Sequence, residues 1–535
     1  MLKKSSLRIG RRATVSTNVK VARILHEFVK TALGPRSMDK LLIDAMGHIK
    51  VTNDGATILG IDVQHPVAKM LIEAAKAVDM DVGDGTKTTV LLACELLMRS
   101  EDLLEEMHPT QIIKGYSRAA DRAIRTVEQI SIPIDLHDFE ALRKVALTSL
   151  ESKLSGRVKE HFAELAVKAV RRIVETRERK TFADIERILI VKRRGRSLLD
   201  TDIIDGIVEI QPIAHPDMPR IVANAKIALL NYMLIVAHPK IPAEVEIDEP
   251  QQVEAFLNKE TAILESMVRK VANTGANVLI CQWDIDDKAL ECLARQPLMT
   301  LRKVSKKDME KIARATGGKI VGSLDDLDGR DLGYAKLVEE RKLRYRPEED
   351  KLVFIEGCRD PKSLTILIRG GLDRALDQAE IAIHDALFVV SDIFHKNRVV
   401  PGGGAVEIEI ARRLRQYSTE FRGKEQLAVR AYADAIEIVP RTLIENAGLD
   451  VSEYLTELRA KHSGSSGAWT GVDSLRRRLS SMKGLGVLEP SLLKEHVIRT
   501  ATEIAAAILR VDDMIASRKV KASSSKPDGS QNLID

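Results

Sequence analysis

Cysteine is scarce in this chain: four residues among 535, Cys94, Cys281, Cys292 and Cys358. None forms a Cys-x-x-Cys pair and no histidine cluster stands near them, which argues against structural zinc and against a disulfide framework. A reducing compartment such as the cytoplasm is expected. Aromatic residues make up only 3%, and 83 Lys and Arg against 78 Asp and Glu leave a net charge of only +5. A nucleic-acid groove needs a basic stripe and stacking rings, so no nucleic-acid partner is expected. Dense, balanced charge reads as a solvated surface and fits a heat-stable protein. No apolar run reaches the roughly 18 residues a membrane span needs. The segment from Met1 to Arg12 is basic without an apolar stretch, so no secretory leader is expected there. What the chain does have is 44% apolar residues over 535 positions. That is too long for one compact core, and about three domains are expected.

Periodicity changes twice along the chain. Up to about residue 137 it is mostly helical. Val19, Ala22, Leu25, Val29 and Ala32 make a helical stripe that Gly34 and Pro35 end. The runs 41–44 and 48–52 about Gly47 predict a β-hairpin, and Pro109 sits in the first turn of another helix. Over 204–357, β-like runs at 207–210, 226–230, 277–281 and 319–321 alternate with helices, an α/β pattern. One helix there has Asp248 as cap, Gln251 closing a capping box, Pro250 in its first turn and Gly275 at its end. Val253, Phe256, Leu257, Leu264, Met267, Val268 and Val271 line one side of it. From 395 the pattern is helical again, with Pro440 expected to kink a helix. The polar tail 519–535 is expected to be disordered. A helical region that is interrupted and then resumes implies one helical domain made from both ends, with the middle inserted.

Two glycine-containing runs carry the chemistry, VTNDGATIL (51–59) and DVGDGTKTT (81–89). Each sets an aspartate beside a glycine at a turn, and the second opens into an apolar-rich helix. Gly55 and Gly85 would let backbone N–H groups approach phosphate oxygens, and the helix start adds free donors. Asp84 would hold Mg²⁺, because carboxylate meeting phosphate needs a cation between them. Thr86, Thr88 and Thr89 would offer hydroxyls and N–H groups. The run is not a Walker A loop, since Thr86 precedes Lys87. A nucleoside triphosphate site of another design is predicted.

These residues resemble the group II chaperonins, the thermosome family of archaea and the eukaryotic cytosol. The resemblance covers about residues 8–517. It rests on LGPRSMDKLL (33–42), the two runs above, HPVAKML (65–71), HPTQIIKGY (108–116), MPRIVANAKIALL (218–230), RGG (369–371), HDAL (384–387), GGGAVE (402–407), PRTL (440–443), NAGLD (446–450) and GVLEP (486–490). It implies a multidomain α and α/β chaperonin fold. A mostly helical equatorial domain (1–137 and 395–518) would bind ATP. An intermediate hinge domain (138–203 and 358–394) would connect it to an α/β apical domain (204–357) with a helical lid protrusion near 241–275. The implied function is ATP-driven closure of that lid over a non-native polypeptide in a double ring, with identical or paralogous subunits.

By resemblance, Asp84 holds magnesium and Asp54 and Asp385 are the catalytic carboxylates. Asp385 would reach the γ-phosphate only when the hinge domain swings down, there orienting the attacking water. Lys153 would sense the γ-phosphate. Leu33, Gly34, Pro35, Gly402, Gly403 and Gly404 would line the nucleotide, and Glu489 would hold the ribose hydroxyls. The hairpin near 41–52 would pair with the termini of a neighbouring subunit. The chain departs from the family at Lys87, where threonine is usual, and at Ser37, where many members have glycine. Lys87 could grip phosphate as a P-loop lysine does, or compete with magnesium and slow turnover. The second outcome would make this a weakly catalytic structural or regulatory subunit of a mixed ring.

Overall fold

The computed structural model describes residues 6–517, apart from 10, 44–46, 48, 61–62, 64, 178–179, 196, 237–249, 345–348, 361–362 and 465–466. Three bodies follow from how apolar faces are buried. The first core joins the two ends of the chain. Helices Arg11–Lys30, Pro66–Val82, Thr86–Glu106 and Pro109–Ile130 pack with Ala405–Ser418, Glu425–Ile436, Ile438–Asn446 and Ser491–Leu509. The Thr86 helix is apolar on most sides, with Val90 to Cys94, Leu96 and Leu97 all buried, so it runs through the middle of this core. Tyr116 and Tyr432 meet edge-on across it, 5.7 Å between ring centroids. Strand Ser6–Ile9 pairs antiparallel with Met514–Ser517, and Lys40–Ile43 forms a hairpin with Ile49–Thr52. Leu41, Ile43, Ile49 and Val51 of that hairpin are exposed.

The second body packs helices Phe139–Leu150, Gly156–Ile173 and Asp373–His395 around one core. Strands Ile188–Arg194 and Leu364–Gly370 lie parallel beside it. The third is a seven-stranded mixed sheet in the order Met299–Leu301, Val278–Cys281, Ile221–Leu230, Gly333–Arg344, Glu349–Cys358, Gly206–Glu209, with Ile320–Val321 also on Ile221–Leu230. The sheet divides in character. Its half with helical crossovers is parallel, and the other half is antiparallel, led by the long pair 333–344 and 349–358. Simple α/β alternation therefore describes only the first half.

Helix Pro250–Asn273 packs on helix Asp287–Ala294 through Leu264, Val268 and Val271, which join Leu290 and Leu293. Asp248, its expected cap, the 241–249 part of the expected lid, and the side chains of Gln251, Val253, Phe256 and Leu257 lie outside the described residues, as does the tail 519–535. The kink expected at Pro440 takes the form of a break between two helices at Glu437. One helix ends at Ile436 and the next starts at Ile438, placing Pro440 in a first turn where its missing N–H has no partner to lose.

Candidate active site

A cavity of about 480 Å³ lies between the first and second bodies. Its floor is made by the turn 83–85. Gly83 ends helix Pro66–Val82 at φ +67° and Gly85 opens helix Thr86–Glu106 at φ +85°, both left-handed. Asp84 stands between them. Its Oδ1 accepts from the Gly85 N–H at 2.7 Å, and its Oδ2 accepts from Ser149 Oγ of the second body at 2.9 Å. Burial pushes this carboxyl up. The charges of Lys153 and Lys87 and the hydrogen bonds from Gly85 and Ser149 outweigh that and hold it below the usual carboxylate range.

Lys153 follows the end of helix Phe139–Leu150 and is buried against two carboxylates. It is paired with Asp385, and its Nζ lies 3.9 Å from Asp84 Oδ2. Burial works against its charge, but Asp385 and Asp84 prevail and the ammonium is retained. Asp385 itself is only 5% exposed. Burial raises its pKa, opposed by Lys153. Gln378, on the same helix as Asp385, donates to the Lys153 carbonyl at 3.1 Å, so helix and lysine are held together twice. Asp385 therefore already sits beside Asp84, with the second body seated on the first.

Asp54 caps the single turn Gly55–Ile58, accepting from the Thr57 N–H at 2.8 Å. Asn53 ties this turn to the second body by donating to the Ser152 carbonyl at 2.6 Å and to Ser37 Oγ at 3.3 Å. Lys87 Nζ donates to the Asn53 carbonyl at 3.1 Å.

The opposite wall is glycine. Gly403 (φ +63°) and Gly404 (φ +76°) line the cavity. A Cβ on Gly403 would come within 2.6 Å of Met482 Sδ, and one on Gly404 within 2.7 Å of Pro440 Cβ. Only glycine lets the backbone at this wall pass so close to Met482 and Pro440. Leu33, Gly34 and Pro35 form another edge, held by Asn446, whose Nδ2 donates to the carbonyls of Lys30 (2.9 Å) and Leu33 (2.8 Å). Glu489 lines the cavity and pairs with Lys494 at 2.7 Å, and Lys494 also reaches Glu407 at 2.8 Å.

Of the sequence-predicted residues, Leu33, Gly34, Pro35, Asp84, Gly85, Lys87, Thr88, Lys153, Gly403, Gly404 and Glu489 line the cavity. Asp54, Gly55, Thr86, Thr89, Asp385 and Gly402 stand behind that layer. Thr89 Oγ1 bonds the Gly85 carbonyl at 3.0 Å, and Thr86 packs where a Cβ on Gly55 would fall, 2.2 Å from its Oγ1. Sequence reasoning missed Lys494, Asp79 and Asp473. Lys494 and Asp79 lie on helices where a charged residue reads as solvent-facing, and no spacing signals their burial. Asp79 is pushed up to about 6 by burial, with Asp385 and Asp54 adding to it. Asp473 Oδ2 is buried and accepts no hydrogen bond among the described residues.

The donor set suits a magnesium–triphosphate. Asp84 offers carboxylate oxygen to a hard cation. The helix start and the glycine walls offer N–H groups to phosphate. Lys153 and Lys87 offer charge-assisted donors.

Comparison with known proteins supports this setting. The model of the TCP-1/cpn60 chaperonin family matches residues 25–519. The thermosome subunit beta of Sulfolobus acidocaldarius is 46% identical over 521 residues, covering 97% of this chain and 94% of that protein. The thermosome subunit beta of Desulfurococcus mucosus is 48% identical over 501 residues, 93% of this chain and 99% of that protein. The thermosome subunit of Methanopyrus kandleri is 46% identical over 505 residues, 94% and 92% respectively.

Proposed function

The chain belongs to the TCP-1/cpn60 chaperonin family, and on that premise we propose that it hydrolyses ATP to drive a lidded folding chamber for non-native polypeptides. The observation that carries this reading is the meeting of Asp84, Lys153 and Asp385 at one cavity between two bodies. In this reading, 1–137 and 395–518 are the equatorial domain, 138–203 and 358–394 the hinge, and 204–357 the apical domain with a lid near 241–275. The subunit works in a double ring, alone or with paralogues, in the cytoplasm.

Asp84 holds Mg²⁺, which when bound screens phosphate charge and polarises the terminal phosphoryl group. The glycine walls and the N–H groups at the start of the Thr86 helix cradle the phosphates. Lys153 draws charge from the terminal phosphate while keeping Asp385 ionised and aimed. Asp385 and Asp54 orient the attacking water and take up its proton. Phosphoryl transfer needs chiefly positioning and charge stabilisation, so delivering Asp385 by domain closure gates turnover. Chamber closure is driven only as far as the nucleotide favours the closed arrangement. A purely structural ring subunit is not favoured, since the whole carboxylate–lysine set is present.

The test is steady-state ATP hydrolysis by assembled particles, wild type against Asp385→Ala at matched nucleotide occupancy. Loss of a positioned base is worth about 10²–10⁴ in rate. Equal rates in the two proteins would reject Asp385 as the base.

A further inference from the structure

Lys87 is a buried ammonium with little to hold it. It stands in the second position of helix Thr86–Glu106, near the positive end of the helix dipole, where a cation is disfavoured. Burial first, and then the charge of Lys153, push its pKa below the usual lysine range. Asp84, Asp54 and Asp385 attract it, yet among the described residues none comes within ion-pair distance, and all of Lys153's pairing is with two of the same carboxylates. An ammonium has three donors. One goes to the Asn53 carbonyl, and among the described residues no acceptor takes the other two. The residue is only 8% exposed and still lines the cavity. The side chain is therefore largely hidden from bulk water and borders the cavity.

We infer that Lys87 is a fixed cation of this site, donating directly to terminal phosphate oxygens, so that the site holds a nucleoside triphosphate with a lowered requirement for the divalent metal. This rests on the proposed reading of the cavity as a nucleotide site. The charge balance bears on it: Asp54, Asp84 and Asp385 all act on Lys87, and Lys87 and Lys153 are the ammonium groups that offset the repulsion these carboxylates exert on a metal-free triphosphate. Threonine at 87 would leave Lys153, already committed to Asp385, as the ammonium set among these carboxylates. Competition between Lys87 and magnesium is the less favoured outcome, because the Asp84 oxygens are engaged by Gly85 and Ser149 and not by Lys87.

The experiment is equilibrium binding of ATP to assembled particles by calorimetry, once with excess EDTA and once with Mg²⁺, for wild type, Lys87→Thr and Lys87→Arg. Lys87→Thr should weaken metal-free binding by at least about tenfold and Mg-ATP binding by less than about threefold, and Lys87→Arg should keep most of the metal-free affinity. If Lys87→Thr fails to assemble, Lys87→Met, which keeps the stem volume, takes its place. The inference is overturned by equal metal-free affinities in wild type and Lys87→Thr, by equal losses with and without metal, by tighter Mg-ATP binding in the variant, or by wild-type binding that occurs only with metal. If wild type binds ATP under neither condition, the nucleotide-site reading itself fails.

Discussion

Gly83 couples the cavity floor to the helix that carries Asp385. Its φ of +67° is left-handed, and a Cβ there would fall 2.2 Å from Phe388 Cβ, 2.4 Å from Cγ and 2.9 Å from Cδ2. Phe388 is one turn from Asp385 on helix Asp373–His395. In Gly83→Ala two costs add. Holding alanine in the left-handed region costs about 1–3 kcal/mol. Overpacking against the helix costs another ~1–3 kcal/mol, because the nearest atom is a Cβ that cannot rotate away. Together the loss is roughly 2–6 kcal/mol, and relief requires the Asp385 helix to move off the turn. Two readouts should therefore move together: the urea midpoint falls, and ATP turnover at saturating nucleotide falls with it. The double variant Gly83→Ala/Phe388→Ala separates the two costs. It removes the ring but keeps Phe388's Cβ position, so it should recover only a minor part of the loss, and the cycle measures that part. Wild-type stability in Gly83→Ala, or full recovery in the double variant, would refute the reasoning.

Asn446→Ala removes two hydrogen bonds to the backbone of the 30–35 loop. At about 0.5–1.5 kcal/mol each, about 1–3 kcal/mol together, it should raise the ATP concentration for half-maximal hydrolysis by about 5–150-fold with kcat little changed. A fall in kcat alone in the rate-versus-ATP curve would contradict this. Glu209 ends a strand of the mixed sheet, where burial, with Asp308 adding to it, raises its carboxyl from 4.5 to about 7. The folded state thus binds this proton more tightly than the unfolded state, so its contribution is full below pH 4.5 and is lost as pH rises through 7. At about 1.4 kcal/mol per pH unit the whole window spans roughly 3 kcal/mol. Thermal midpoints of the third body should fall from pH 6 to pH 8 in wild type, and Glu209→Gln should flatten that slope. Identical slopes would remove Glu209 as its source.

Element ends were legible where backbone chemistry is local. Gly34 and Pro35 follow the first helix, and His108 with Pro109 starts another, His108 accepting from the Thr110 N–H. These signals act within a turn, so they survive any tertiary setting. The long antiparallel pair 333–344 and 349–358 was not legible. Its charged run, Glu339, Glu340, Arg341 and Lys342, lacks the apolar alternation of a half-buried strand. Arg341 instead spans Glu339 and Glu356 and lies over the Phe354 ring. Pairing with a partner strand decided the structure there, which is a non-local term. The site divides in the same way. Asp54, Asp84 and the glycines announce themselves because each shapes its own turn. Asp385 and Lys153 do not: one is a helical aspartate and the other a lysine past a helix end. What makes them a site is a contact across 232 positions of chain, and composition and periodicity carry no such information. Lys494, faced by Glu407 and Glu489, shows the same limit. A charged residue on a helix reads as solvated until the fold puts a carboxylate or an ammonium opposite it, and only then does its burial become affordable and its chemistry specific.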